Sequence, residues 1–249
     1  MPLRRNTSLF ILLAVSVCAV LAALAMPRIA QDPGYHAFAD RRVFFGVPGF
    51  LDVATNAAFL LAGAFGFSRL PHMRPLRPAY PVLCAGVILV AFGSAWYHLA
   101  PSDARLVWDR APMTVALMAL FALVIGDGVS ERAGTRMLWP LVIAGLASVA
   151  WWHLSEQRGH GDLRPYALVQ FLPMALIPLI LILFGVTRLR TPLLWAALCA
   201  YLLAKLAEHF DTEILVLTGF ISGHSAKHLL SAAAALAVFM AFAAGPRRS

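Results

Sequence analysis

The feature that most limits what this chain can become is the recurrence of apolar runs long enough to cross a bilayer. About 20 predominantly apolar residues span the hydrocarbon layer as an α-helix. Runs near that size lie at about 9–26, 50–68, 80–98, 111–126, 137–153, 166–185, 192–209 and 225–243. In lipid every backbone polar group must be paired within the protein, which favours helices for unbroken runs of this kind. A water-soluble domain of 249 residues would not combine 61% hydrophobic with only 13% charged residues. The expected fold class is therefore all-α: a polytopic transmembrane helix bundle with seven core helices and one additional N-terminal span. The basic start MPLRRNTS and the run behind it read as a retained signal-anchor, although Ala22 to Met26 resembles a cleavage region. This divides the chain into residues 1–28, a short stub with its anchor, and residues 29–249, a seven-helix membrane domain. Pro173, Pro178 and Gly185 predict a kink in the sixth run.

A net charge of +8 might be read as a nucleic-acid footprint, but the basic residues sit in short segments between the runs. That is how topology determinants are placed, so no nucleic acid is expected as a partner. With the N-terminus inside, the inner segments carry Arg4, Arg5, Arg69, Arg74, Arg77, Arg188, Arg190, Arg247 and Arg248. On the same side Asp127 and Glu131 are offset by Arg132 and Arg136. Charges in the outer segments nearly cancel. Both termini are expected in the cytoplasm of a bacterial inner-membrane protein. Cys18, Cys84 and Cys199 all fall inside apolar runs and read as packing residues.

The polar residues inside or beside the runs are the ones that need a reason. In GSAWYHLAPSDARLVWD, Ser94 and His98 are four apart and share one helix face, and Asp109 follows after a short polar break. Near the other end, GHSAKHLL sets His224 and His228 at the same spacing. The topology brings all of them to one level, near the outer leaflet. Three neutral imidazoles with an open fourth position suit a catalytic metal better than a structural one, which would want a further ligand such as Cys. Asp109 could then serve as general base and acid, and Ser94 as a hydrogen-bond donor to the bound water or to an oxyanion. Such a site at the end of an apolar bundle suits attack on a lipid carbonyl, with the acyl tail held between helices. Structural roles stay open beside these. Asp109 before Arg110, Ala111 and Pro112 also fits a helix N-cap, and Ser94 a small residue at a helix contact. Asp52, Asn56, Asp162, Arg164, Tyr166, Gln170, Glu208 and Asp211 could support the histidines, meet lipid head groups or pair between helices, with the structural reading favoured for each. Lys227 is expected to face away from the two histidines and pair with an acid such as Glu208 or Asp211.

These residues carry a family resemblance. GSAWYHLAPSDARLVWDRAPM resembles the G-S-x-x-x-H and, eleven residues on, D-x-x-P-M of the alkaline ceramidases. GHSAKHLL resembles their last-helix H-x-x-x-H, AEHFDTEIL their preceding acidic segment, and LDVATNAAF their first core helix. HAFADRR, Glu131-Arg132, GDLR and KHLL look like the bacterial, alkaline phytoceramidase-like branch. The likeness covers about residues 36–243. It implies zinc on His98, His224 and His228, with Ser94 and Asp109 beside it, and hydrolysis of a ceramide or similar N-acyl lipid to a fatty acid and a sphingoid-type amine. The wider superfamily, which includes adiponectin-receptor-like proteins, shares these five residues. The family's acidic calcium cluster is matched only by Asp40 and Asp52, with Gly49 where a glutamate is expected, so calcium is not carried over. Two rivals stand beside this reading: a membrane lipid esterase, and a receptor-like protein in which zinc only clamps helices.

Overall fold

The computed structural model describes residues 5–70, 78–186 and 188–243. Arg4, Arg74, Arg77, Arg247 and Arg248, used above for orientation, lie outside the described residues. The chain is helical almost throughout. Helix α1 (Arg5–Ala25) leads to a short 3-10 turn at Pro33–His36 and a two-residue hairpin, β1 (Val43–Phe44) and β2 (Val47–Pro48). There follow α2 (Phe50–Ala54), α3 (Ala57–Ser68), α4 (Ala79–Leu99), α5 (Asp103–Gly128), α6 (Glu131–Gln157) and α7 (Arg164–Leu183). The chain closes with α8 (Thr191–His209), α9 (Asp211–Thr218) and α10 (Gly223–Ala243). Among the described residues, 8 helical segments are long and apolar enough to cross a membrane, with α2 and α3 counting as one. The protein is an all-α, multi-pass membrane bundle.

Packing is centred on α4 and α5, with α6 against α5 and α10 seated on α3 and α8. The core between them is Leu, Val, Ala and Phe, for example Leu83, Val87, Ala119, Leu123 and Phe239. Small residues let the backbones approach as they do in membrane bundles. A Cβ on Gly93 would lie 1.9 Å from the Trp108 carbonyl oxygen, so only glycine lets α4 meet α5 there.

Two expectations change. Helix α5 begins at Asp103, capped by the Ser102 hydroxyl accepting from the Arg105 N–H, so Asp109 sits in the second turn and is not an N-cap. Its first turns carry Asp103, Arg105, Asp109 and Arg110, and these charges are why the sequence reads as a break there. Pro173 and Pro178 lie inside α7, and Gly185, with φ +67°, follows just beyond its end. Cys18 and Cys199 are exposed along their helices, and only Cys84 packs in the core.

All loops from one end of the bundle meet there. The Leu163 N–H donates to the Ile29 carbonyl (2.7 Å), and the Ala39 N–H to the Asp211 carboxylate (2.9 Å). Asp40 pairs with Arg42 at 2.8 Å, which holds the carboxyl below its ordinary range, and Arg42 also donates to the carbonyls of Gly219 and Phe220. Helix α1 packs on α7, and Arg164 donates to the Met26 carbonyl (2.6 Å) at its end. The loop end is thereby fastened to α1, α7 and α10 at once.

Candidate metal centre

Helix α4 presents Ser94 and His98 on one inward face, and α10 presents His224 and His228 in its first two turns. His98, His224 and His228 are 5%, 4% and 2% exposed, so three imidazoles are gathered away from solvent. Each offers a ligand nitrogen, and the three nitrogens lie within 4.8 Å of one another. Ring centroids are separated by 4.7, 5.0 and 4.8 Å, a nearly equilateral arrangement. The Nε2 atoms of His98 and His224 face each other at 3.1 Å. A tetrahedral ion with metal–nitrogen bonds of about 2.0–2.1 Å would hold its ligand nitrogens about 3.3 Å apart, close to that value.

Hydrogen bonding prepares the set. Thr55 Oγ1 donates to the Leu51 carbonyl (2.6 Å), and its contact to His228 Nδ1 is 2.9 Å. A hydroxyl has one proton, so Thr55 accepts from Nδ1–H and leaves Nε2 of His228 bare. That nitrogen is then free to bind a metal. Thr55 reaches the site because the span breaks at 55–56, where the Asn56 amide donates to the Asp52 carbonyl (2.7 Å) in competition with the helix. On the loop side, Phe38 covers the rings of His98 and His224 at centroid distances of 4.7 and 4.4 Å. Asp211 accepts from the His224 N–H (2.7 Å), and Asp52 accepts from Ser222 (3.0 Å) and Ser225 (2.5 Å). These two acids fix the start of α10, which carries two of the three histidines. A Cβ on Gly223 would fall 2.0 Å from the Ala207 carbonyl oxygen, so the close seating of α10 on α8 also needs glycine.

The residues fit a metal ion: three buried imidazoles converge with a ligand nitrogen each. His98 Nδ1 is buried without a hydrogen-bond partner. Among the described residues no other group of three or more such side chains is arranged for a metal. Asp109 and Ser94 are buried and line the cavity that His228 also borders. His98, His224 and His228 are thus brought together, and Ser94 and Asp109 line one cavity with His228. Asp40 and Asp52 instead spend their carboxylates on Arg42 and on the two serines.

Ser94, Asp109, Lys227 and His228 form the polar end of a cavity that continues between the helices to Val124 and Val238. It encloses about 200 Å³. From Asp109 to Val124 along α5 is about 22 Å at 1.5 Å per residue. Lys227 pairs with Glu208 (2.5 Å), as the sequence suggests, and Glu208 also accepts from Lys205 (2.7 Å). Thr55 and Phe38 are the site residues that sequence reasoning missed. Comparison with protein families, with curated proteins and with solved structures finds no match.

Proposed function

We propose that the protein is a zinc-dependent membrane hydrolase that cleaves the amide of a ceramide or similar N-acyl lipid. The observation that carries this is the convergence of three buried imidazole nitrogens, one of them from His228, which lines an apolar cavity together with Asp109. When bound, the ion supplies Lewis-acid polarisation and lowers the pKa of water toward 7. The chain's own residues do the rest. The cavity takes the acyl tail and sets the amide carbonyl at the histidine end. Asp109 removes a proton from the attacking water as its oxygen bonds to the carbonyl carbon. It then returns that proton to the nitrogen as the C–N bond breaks, giving a carboxylic acid and an amine. Ser94 holds the Asp109 carboxyl in position for both transfers.

Hydrolysis of an acyl group rests on the site; the choice of amide over ester rests on the resemblance to the alkaline ceramidases. By the charge bias of the loops, both termini are cytoplasmic and the site faces the outer leaflet of a bacterial inner membrane. Asp109→Asn is expected to keep the fold and the metal while lowering turnover by about 10²–10⁴-fold, the usual share of a general acid–base. Release of fatty acid from ceramide by the purified variant and wild type checks this. Full activity in the variant, or cleavage of acyl esters with none of amides, would remove the amide-hydrolase reading.

A further inference from the structure

One residue beyond Asp109, α5 carries a guanidinium with an unusual environment. Arg110 is only 4% exposed, and its Nε and Nη1 are buried without hydrogen-bond partners. It lies over the rings of Trp152 (4.1 Å), Tyr166 (4.7 Å) and Tyr35 (5.2 Å). Cation–π contact with three rings steadies the charge but accepts none of its N–H bonds. Trp152 Nε1, in the same cage, is also a buried donor without a partner. Three N–H donors therefore share one cage with no acceptor for any of them. Asp109, the adjoining acid, lines the cavity, while Asp103 pairs with His36 (3.1 Å), Asp162 with Arg164 (2.8 Å) and Glu208 with two lysines. Buried donors are almost always paired, and a planar guanidinium is matched best by an oxyanion with two or more oxygens.

The cage adjoins the cavity. Tyr166 is shared between the cage and the cavity wall. Tyr35 and the ends of α6 and α7 put the guanidinium at the loop end, opposite the run of the cavity toward Val124 and Val238. An acyl lipid with its tail in that cavity and its amide at the histidines directs its amine half toward this end. We propose that Arg110 and Trp152 recognise an anionic group, such as a carboxylate, sulfonate or phosphate, on the amine half of the substrate. This rests on the amide-hydrolase reading for the name of the ligand, but not for its detection.

The test uses purified, metal-loaded, full-length protein in detergent and calorimetric binding of two non-cleavable ketone analogues. In these a CH₂ replaces the amide N–H of N-palmitoylglycine, which is anionic, and of N-palmitoylethanolamine, which is neutral. Wild type is expected to prefer the anionic analogue by about ten- to a hundredfold, the scale of charge-assisted hydrogen bonds. Arg110→Met is expected to abolish the preference and leave binding of the neutral analogue unchanged. Arg110→Lys and Trp152→Phe, milder changes for which the fold is retained, are each expected to reduce it several-fold. Equal binding of both analogues by wild type, or an undiminished preference in the variants, overturns the proposal. Equally strong, Arg110-dependent binding of palmitate would assign the cage to a fatty-acid carboxylate and overturn it too. Since no bond is cleaved, absence of turnover would count against the hydrolase reading alone.

Discussion

Thr55 shows how one hydroxyl can decide the state of a metal ligand. Because its only proton goes to Leu51, it must receive Nδ1–H from His228, and the imidazole is held with Nε2 aimed inward. Thr55→Val keeps the shape of the side chain and loses both bonds. It is expected to weaken metal affinity by about 10–100-fold, as loss of a ligand's hydrogen-bond partner commonly does, and competition with a chromophoric chelator measures this. His98, His224 and His228 were legible in the sequence because helical spacing puts a four-residue pair on one face. Thr55 and Phe38 were not. Thr55 is 173 positions from His228, and Phe38 reaches His98 and His224 from a loop without periodicity. Asp109 was legible as a candidate but not as a helical residue, since the polar first turns of α5 hide where that helix begins.

At the scale of elements, the site depends on how closely α4 and α5 approach. Ser94 and His98 come from α4 and Asp109 from α5, and Gly93 is the contact that sets their separation. Gly93→Ala is expected to push the two helices apart, at a cost of about 1–3 kcal/mol or more for overpacking against backbone. The variant should melt earlier in detergent and lose turnover together with stability. An unchanged melting temperature would show that α4 and α5 do not touch there. The link between α6 and α7 carries a pH signature. Arg164 holds Asp162, outside the spans, well below its usual range, at about 2. A depressed carboxyl stabilises the fold fully above its unfolded value near 3.8, and that contribution is lost as pH falls from about 4 through 2. Melting temperature measured down this range should fall in wild type and fall less steeply in Asp162→Asn.

For the whole molecule, the bundle was readable from hydropathy, since each long apolar run falls in a helix long and apolar enough to span, although α5 and α6 begin 8 and 6 residues before their runs. What hydropathy could not supply was the irregular backbone: the break at 55–56, the 3-10 turn, the hairpin and α9. Those pieces pair their polar groups with side chains from distant segments, and no local pattern encodes such partners. They also close the loop end over the histidines, which the regular helices α4 and α10 carry. The cavity leading away is walled by the regular helices and ends in apolar residues. A polar head over an apolar shaft is what the proposed hydrolysis of a lipid requires.

The central claim is that His98, His224 and His228 hold a metal ion at the head of that shaft. Elemental analysis of the purified wild type and of His98→Ala, His224→Ala and His228→Ala tests it most directly. The account predicts about one zinc ion per chain in the wild type, as for a single three-histidine centre, and its loss in each variant. A folded wild type without metal, or variants that keep a full complement, would leave the three histidines as buried packing residues and contradict the account.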